Sequence, residues 1–118
     1  MSGRTLLLVD DHASFRAHAR VLLEAAGFDV VGEAATGEEA VAAVIRLNPS
    51  VVLLDVVLPD ADGFAVCERL AEADRFPTVV MTSSRSASAY RRRLQQSAAR
   101  GFIPKSELTG DALTAMVG

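Results

Sequence analysis

The stretch VVLLDVVLPDADG, residues 51–63, decides the fold. Val51 to Leu54 run without a polar interruption and stop at Asp55, after which Pro59 and Gly63 bound a loop. A strand with one wet face alternates apolar and polar residues; an unbroken apolar run suits a strand covered on both faces. Working outward, the same pattern returns. Leu6 to Val9 stop at Asp10 and Asp11. Val79 to Met81 stop at Thr82, with Ser83 and Ser84 behind it, and a short run, Gly101 to Ile103, leads into Lys105. A weaker run covers Asp29 to Ala34, with Val30 and Val31 at its centre.

Segments of helical period lie between these runs. Phe15, Ala19, Leu22, Leu23 and Ala26 share one spacing, and Gly27 is placed to stop that helix. Thr36 can cap a helix carrying Ala40, Val41, Val44 and Ile45 on one face. Phe64, Cys67, Leu70 and Ala71 mark a third helix, Tyr90, Leu94 and Ala98 a fourth, and Leu113, Met116 and Val117 a short fifth. Five βα units imply an α/β fold, a doubly wound parallel five-stranded sheet with helices on both faces. Such sheets bind ligands beyond the carboxyl ends of their strands.

Composition narrows the function. At 118 residues the chain is one domain's length. Half of it is hydrophobic, enough to fill a core. Aromatics are 5% with no Trp, which disfavours base stacking on single strands. A net charge of −3 argues against direct nucleic-acid binding. The single Cys excludes a disulfide framework or a cysteine-rich zinc site. No apolar run approaches the ~20 residues of a membrane span, and Met1 to Thr5 is too short and polar to open a signal peptide. A cytoplasmic location is the expectation.

The residues that end the strands carry the chemistry. The fold argument gathers Asp10, Asp11, Asp55, Thr82 and Lys105 on one edge. Helix capping accounts for one or two strand-end Asp or Thr residues, but not for three carboxylates, a hydroxyl and an amine together. Three carboxylates repel one another unless a cation neutralises them. An all-oxygen set suits a hard divalent ion, and Mg²⁺ fits best because it keeps positions for water and phosphate oxygens. An Asp can attack phosphorus to give an aspartyl phosphate, and a Lys ammonium and a Thr hydroxyl can hold the remaining oxygens.

LLLVDD, VVLLDVVLPDADG, VVMTSS and GFIPK, in this order, resemble the receiver domain of two-component response regulators, across essentially the whole chain from Arg4. GFIPKSEL resembles the receiver subgroup often linked to LuxR/NarL-type helix-turn-helix output domains. The resemblance implies a flavodoxin-like strand order 2-1-3-4-5. It implies Asp55 as phosphoacceptor, Mg²⁺ held by Asp10, Asp11, Asp55 and the Val57 carbonyl, and Thr82 and Lys105 at the phosphoryl group. Phe102 matches the rotating aromatic switch, although Phe has no hydroxyl to donate. Ser106 stands where the family commonly has Pro, and Ser83 is small, as phosphoryl access requires. The implied partners are a histidine kinase or phosphotransfer protein, a downstream protein, and a second copy on phosphorylation. Phosphorylation would change the binding preference of the face formed by the fourth helix, fifth strand and fifth helix.

Thirteen residues follow Lys105, too few for a helix-turn-helix module. Residues 1–118 are therefore expected to be a single receiver domain without an output domain. His12 and His18 read as solvated residues of the first helix, and Cys67 as a buried small hydrophobe. Asp60 and Asp62 read as turn residues capping the next helix. Arg91 to Arg93 read as a solvated face, with partner docking as the alternative. Two rival functions remain. A Mg²⁺-dependent phosphatase working through an aspartyl phosphate would need a second acid at Val57 and a cap segment. A pseudo-receiver, binding a partner without phosphorylation, would not need every phosphoryl-handling position filled.

Overall fold

The computed structural model describes residues 4–73 and 76–117. Residues 1–3 of the polar start, and the last residue of the expected domain, lie outside them. The elements are β1 (Thr5–Val9), α1 (Ala13–Ala25), β2 (Asp29–Ala34), α2 (Gly37–Leu47), β3 (Val51–Asp55), α3 (Gly63–Ala71), β4 (Thr78–Ser83), α4 (Arg91–Gln96), β5 (Gly101–Pro104) and α5 (Gly110–Val117). The sheet is parallel throughout, in the expected order β2-β1-β3-β4-β5.

Residue alternation sorts the core into two layers. Leu7, Val9, Val52, Leu54, Val79 and Met81 face α2 and α3, meeting Ala40, Val44, Val66, Cys67 and Leu70. Leu6, Leu8, Leu53, Val80 and Ile103 face α1 and α5, meeting Ala19, Leu23 and Leu113. Both faces are covered, which is why the strands read as continuous apolar runs. No helix among the described residues is long and apolar enough to cross a membrane.

Helix ends follow local chemistry. Gly27, at φ 98°, closes α1. Its N–H donates to the Glu24 carbonyl and that of Phe28 to the Leu23 carbonyl, a Schellman closure that needs the left-handed residue. Thr36 caps α2 by accepting from the Glu39 N–H. Asp62 caps α3 through the Phe64 N–H. Asp60 differs from expectation. Its carboxylate accepts from the N–H groups of Gly37 and Glu38, so it caps α2 from across the fold. Those two bonds hold its carboxyl below the usual aspartate range.

Two helix readings are corrected. Ile45 is 79% exposed, because the buried stripe of α2 runs through Ala40, Ala43 and Val44 instead. The fourth helix is shorter than its spacing implied. A 3₁₀ turn, Ala87–Tyr90, precedes six α-helical residues, and Ala98 lies beyond them. Ser97 ends the helix by donating to the Leu94 carbonyl while accepting from the Ala99 N–H.

Cys67 is buried as expected, and burial pushes its thiol up to about 11. A chromogenic disulfide reagent at neutral pH is therefore expected to leave the folded protein unmodified and to titrate one thiol on denaturation. Fast labelling of the native protein would contradict this packing.

Candidate functional site

The carboxyl ends of β1, β3 and β4 and the exit of β5 surround a cleft of about 340 Å³. Asp11, His12, Asp55, Val57, Ser83 and Lys105 are among its walls. Register builds this arrangement: Val9 pairs with Leu54, Asp55 with Thr82, and Ser83 with Pro104, so the strands release their terminal side chains at one level.

Lys105 bridges the acids. Its Nζ lies 2.7 Å from Asp10 Oδ2 and donates to Asp55 Oδ2 at 3.1 Å, with its charge 4.7 Å above the Phe15 ring. Burial works against the ammonium charge, but the two carboxylates outweigh it and its pKa is raised. Asp55 is pushed up by burial first and by the Asp10 charge second. The Val57 N–H at 3.2 Å and Lys105 oppose that rise without cancelling it.

Asp10 Oδ1 accepts from the His12 N–H at 2.9 Å and sits 3.0 Å from His12 Nδ1. The same nitrogen is 3.2 Å from Asp11 Oδ1. Asp10 Oδ2 is buried with no well-directed hydrogen bond, so charge attraction to Lys105 is what holds it. Carboxylate oxygens of Asp10, Asp11 and Asp55 and an imidazole nitrogen of His12 all lie within 4.8 Å of one another. Three converging carboxylates, one with an oxygen left undirected, fit a hard divalent cation.

The expected Asp10, Asp11, Asp55 and Lys105 thus come together, and Val57, 64% exposed, lines the cleft. His12 is solvated as expected and touches both acids besides. His18 is exposed on α1. Thr82 departs from expectation. It is fully buried, its hydroxyl donates to the Ile103 carbonyl at 2.7 Å, and Ser83 is the β4 residue on the cleft wall. Phe102 does not line the cleft; it is buried in the layer shared with α3, its ring 5.7 Å from that of Tyr90. The sequence offered Ser83 only as a small residue and Tyr90 only as a helix position; the structure puts Ser83 on the cleft wall with its hydroxyl 3.2 Å from that of Tyr90. The available signal was period two along β4, which puts Ser83 in phase with Met81.

Helix α4 has no fully buried residue; Leu94 packs half-buried against the core, and contacts from neighbouring elements add to it. Arg93 pairs with Asp62 and lies 4.5 Å over the Phe64 ring, tying α4 to the segment beyond Asp55. Arg91 and Arg92 are exposed.

Comparison with known proteins agrees with this fold. A family model described as the response regulator receiver domain matches residues 6–117. BvgA of Bordetella pertussis, whose name describes transcription regulation of virulence factors, is 33% identical over 110 residues, covering 93% of this chain and 53% of BvgA. The chain therefore spans about half the length of such relatives. The chemotaxis protein CheY of Thermotoga maritima is 29% identical over 103 residues, 87% of this chain and 86% of CheY. The solved signal receiver domain of NarL from Mycobacterium tuberculosis superposes with a TM-score of 0.87 at 27% identity, covering 100% of this chain and 99% of that one.

Proposed function

The chain belongs to the response regulator receiver domain family, and from that premise we propose that it is a phosphorylatable switch in which Asp55 accepts a phosphoryl group from a histidine kinase or phosphotransfer protein. One observation carries the reading: Lys105 Nζ spans the buried Asp10 and Asp55 at a cleft whose walls also include Asp11 and a serine. An Asp55 oxygen attacks phosphorus, the O–P bond forms, the P–N bond of the phosphohistidine breaks, and the imidazole leaves with the electron pair. Asp10, Asp11, Asp55 and the Val57 carbonyl would hold Mg²⁺, which offsets charge on the carboxylate and the phosphoryl group. Lys105 holds one phosphoryl oxygen. Ser83 takes the hydroxyl role that the sequence pointed to in Thr82, since the Thr82 hydroxyl is committed to Ile103.

The added charge, about −1.5 to −2 for a phosphate monoester, draws Lys105 and Ser83 inward. The face of α4, β5 and α5, which includes Phe102, then changes its affinity for a downstream protein or a second copy. Residues 1–118 act in this reading as one receiver domain of the cytoplasm, and what the remainder of BvgA does stays a property of BvgA. An enzyme hydrolysing foreign phosphate esters fits poorly. Its second acid would stand at Val57, which is apolar.

Incubation with acetyl phosphate and Mg²⁺ is expected to give a retarded band on a phosphate-affinity gel. EDTA should prevent the band and hydroxylamine should remove it, as befits an acyl phosphate. A band that forms equally in EDTA, or none at all with Mg²⁺, would overturn the reading.

A further inference from the structure

Tyr90 is the only tyrosine in the chain and stands at the junction of the 3₁₀ turn and α4. Its ring is buried between those of Phe64 and Phe102, at 6.0 and 5.7 Å. A phenol placed so deep needs a partner for its hydroxyl. That partner is Ser83 Oγ, at 3.2 Å. The same Ser83 oxygen accepts from the Arg85 N–H at 3.1 Å, and Ser83 is itself 2% exposed while forming part of the cleft wall.

The donors and acceptors of a hydroxyl fix the direction of these bonds. A serine oxygen has two lone pairs and one proton. The Arg85 N–H fills one lone pair. A phenol is more acidic than an alcohol and is the better donor of the pair, so the Tyr90 O–H fills the other. The single Ser83 proton then has no acceptor on that side, and the cleft is where it can be donated. We propose that Tyr90 is a positioning residue for phosphoryl acceptance: it donates to Ser83 Oγ and thereby aims the Ser83 proton at a phosphoryl oxygen on Asp55. The chain of hydrogen bonds runs from Tyr90 to Ser83 to the phosphoryl group, and each bond polarises the next in a site of low dielectric. It also gives α4 a direct link to the state of the cleft, since Tyr90 begins that helix and α4 has no fully buried residue of its own. This inference rests on the reading of Asp55 as phosphoacceptor.

The test uses the whole chain and beryllofluoride with Mg²⁺ as the phosphoryl mimic, its affinity measured by calorimetry. Tyr90→Phe keeps the ring between Phe64 and Phe102 and removes only the hydroxyl. It is expected to weaken beryllofluoride binding about three- to tenfold, the effect of one hydrogen bond. Ser83→Ala is expected to weaken it at least as much. The double variant should bind no worse than Ser83→Ala, because Tyr90 acts only through that oxygen. The melting temperature of metal-free Tyr90→Phe, which a packing defect would lower, is expected to stay close to wild type. Wild-type affinity in Tyr90→Phe, or an equal further loss when it is added to Ser83→Ala, overturns the inference and leaves the proposed function standing. Failure of the wild type to bind beryllofluoride sinks both.

Discussion

Asp55→Asn is expected to abolish the acyl-phosphate band completely and, in metal-free buffer at neutral pH, to raise the melting temperature. The first effect is chemical. The amide oxygen of Asn has no ionised form with which to attack phosphorus, and the other acids do not replace it. Asp10 is turned into its contacts with His12 and Lys105, while Asp11 lies at the mouth of the cleft. A residual hydroxylamine-sensitive band in Asp55→Asn would place the phosphoryl group elsewhere.

The second effect is electrostatic. Burial and the Asp10 charge raise the Asp55 pKa above the ordinary aspartate value of 3.8. For a carboxyl raised on folding, the folded state binds the proton more tightly than the unfolded one. The stabilisation so conferred is complete below the unfolded pKa and is lost as pH climbs through the folded value. At neutral pH the ionised Asp55 is therefore a burden on the metal-free fold, and a neutral isostere relieves it. The advantage of Asp55→Asn should shrink on acidification toward the ordinary aspartate range. Mg²⁺ should stabilise the wild type, since it binds the folded state alone, and stabilise the variant less. A melting temperature lowered by the substitution at neutral pH would show that Lys105 and the Val57 N–H outweigh burial and Asp10.

Gly63→Ala is expected to be the most damaging small substitution in the chain. A Cβ at residue 63 would collide with the Asp55 carbonyl oxygen and lie 2.8 Å from Val56 Cα. Both are backbone atoms, and neither is free to retreat. Asp55 pairs with Thr82 in the sheet, the Val56 N–H donates to the Thr82 carbonyl at 2.9 Å, and the Gly63 N–H donates to the Val56 carbonyl at 2.6 Å. The start of α3 would have to leave the end of β3. Because backbone rather than a flexible side chain is in the way, the loss should exceed ordinary overpacking and reach about 4 kcal/mol. In a domain of this size that is roughly 15 °C of melting temperature. Phosphoryl uptake should fall as well, since the displaced backbone carries Asp55. A melting temperature within a few degrees of wild type would mean that α3 packs less closely on β3 than these contacts require.

The contrast between these residues shows what could be read in advance. Asp10, Asp55 and Lys105 end apolar runs, and a doubly wound parallel sheet leaves the ends of its strands on one edge. Their convergence is a consequence of topology. Thr82 and Ser83 are different. Adjacent hydroxyls at a strand end differ only in which face each takes, and pairing with β5 settles that, giving the Thr82 hydroxyl to Ile103 and leaving Ser83 to the cleft. Asp60 was legible as a capping residue but not as the cap of α2, because its partners lie more than 20 residues earlier in the chain. Ile45 and the short α4 escaped because apolar spacing is ambiguous by one residue, and because a side chain such as Ser97 can end a helix that periodicity would extend.

The one-dimensional pattern alone determined the fold class, the strand order through its family likeness, and the set of acids and amine at the carboxyl edge, since burial on both faces and right-handed crossovers admit few other arrangements. Tertiary structure decided which hydroxyl faces the cleft, which phenol lies against it, and which loop caps which helix. Those outcomes hang on ångström-scale directions of side chains brought together from distant segments, and nearest-neighbour spacing carries no information about direction.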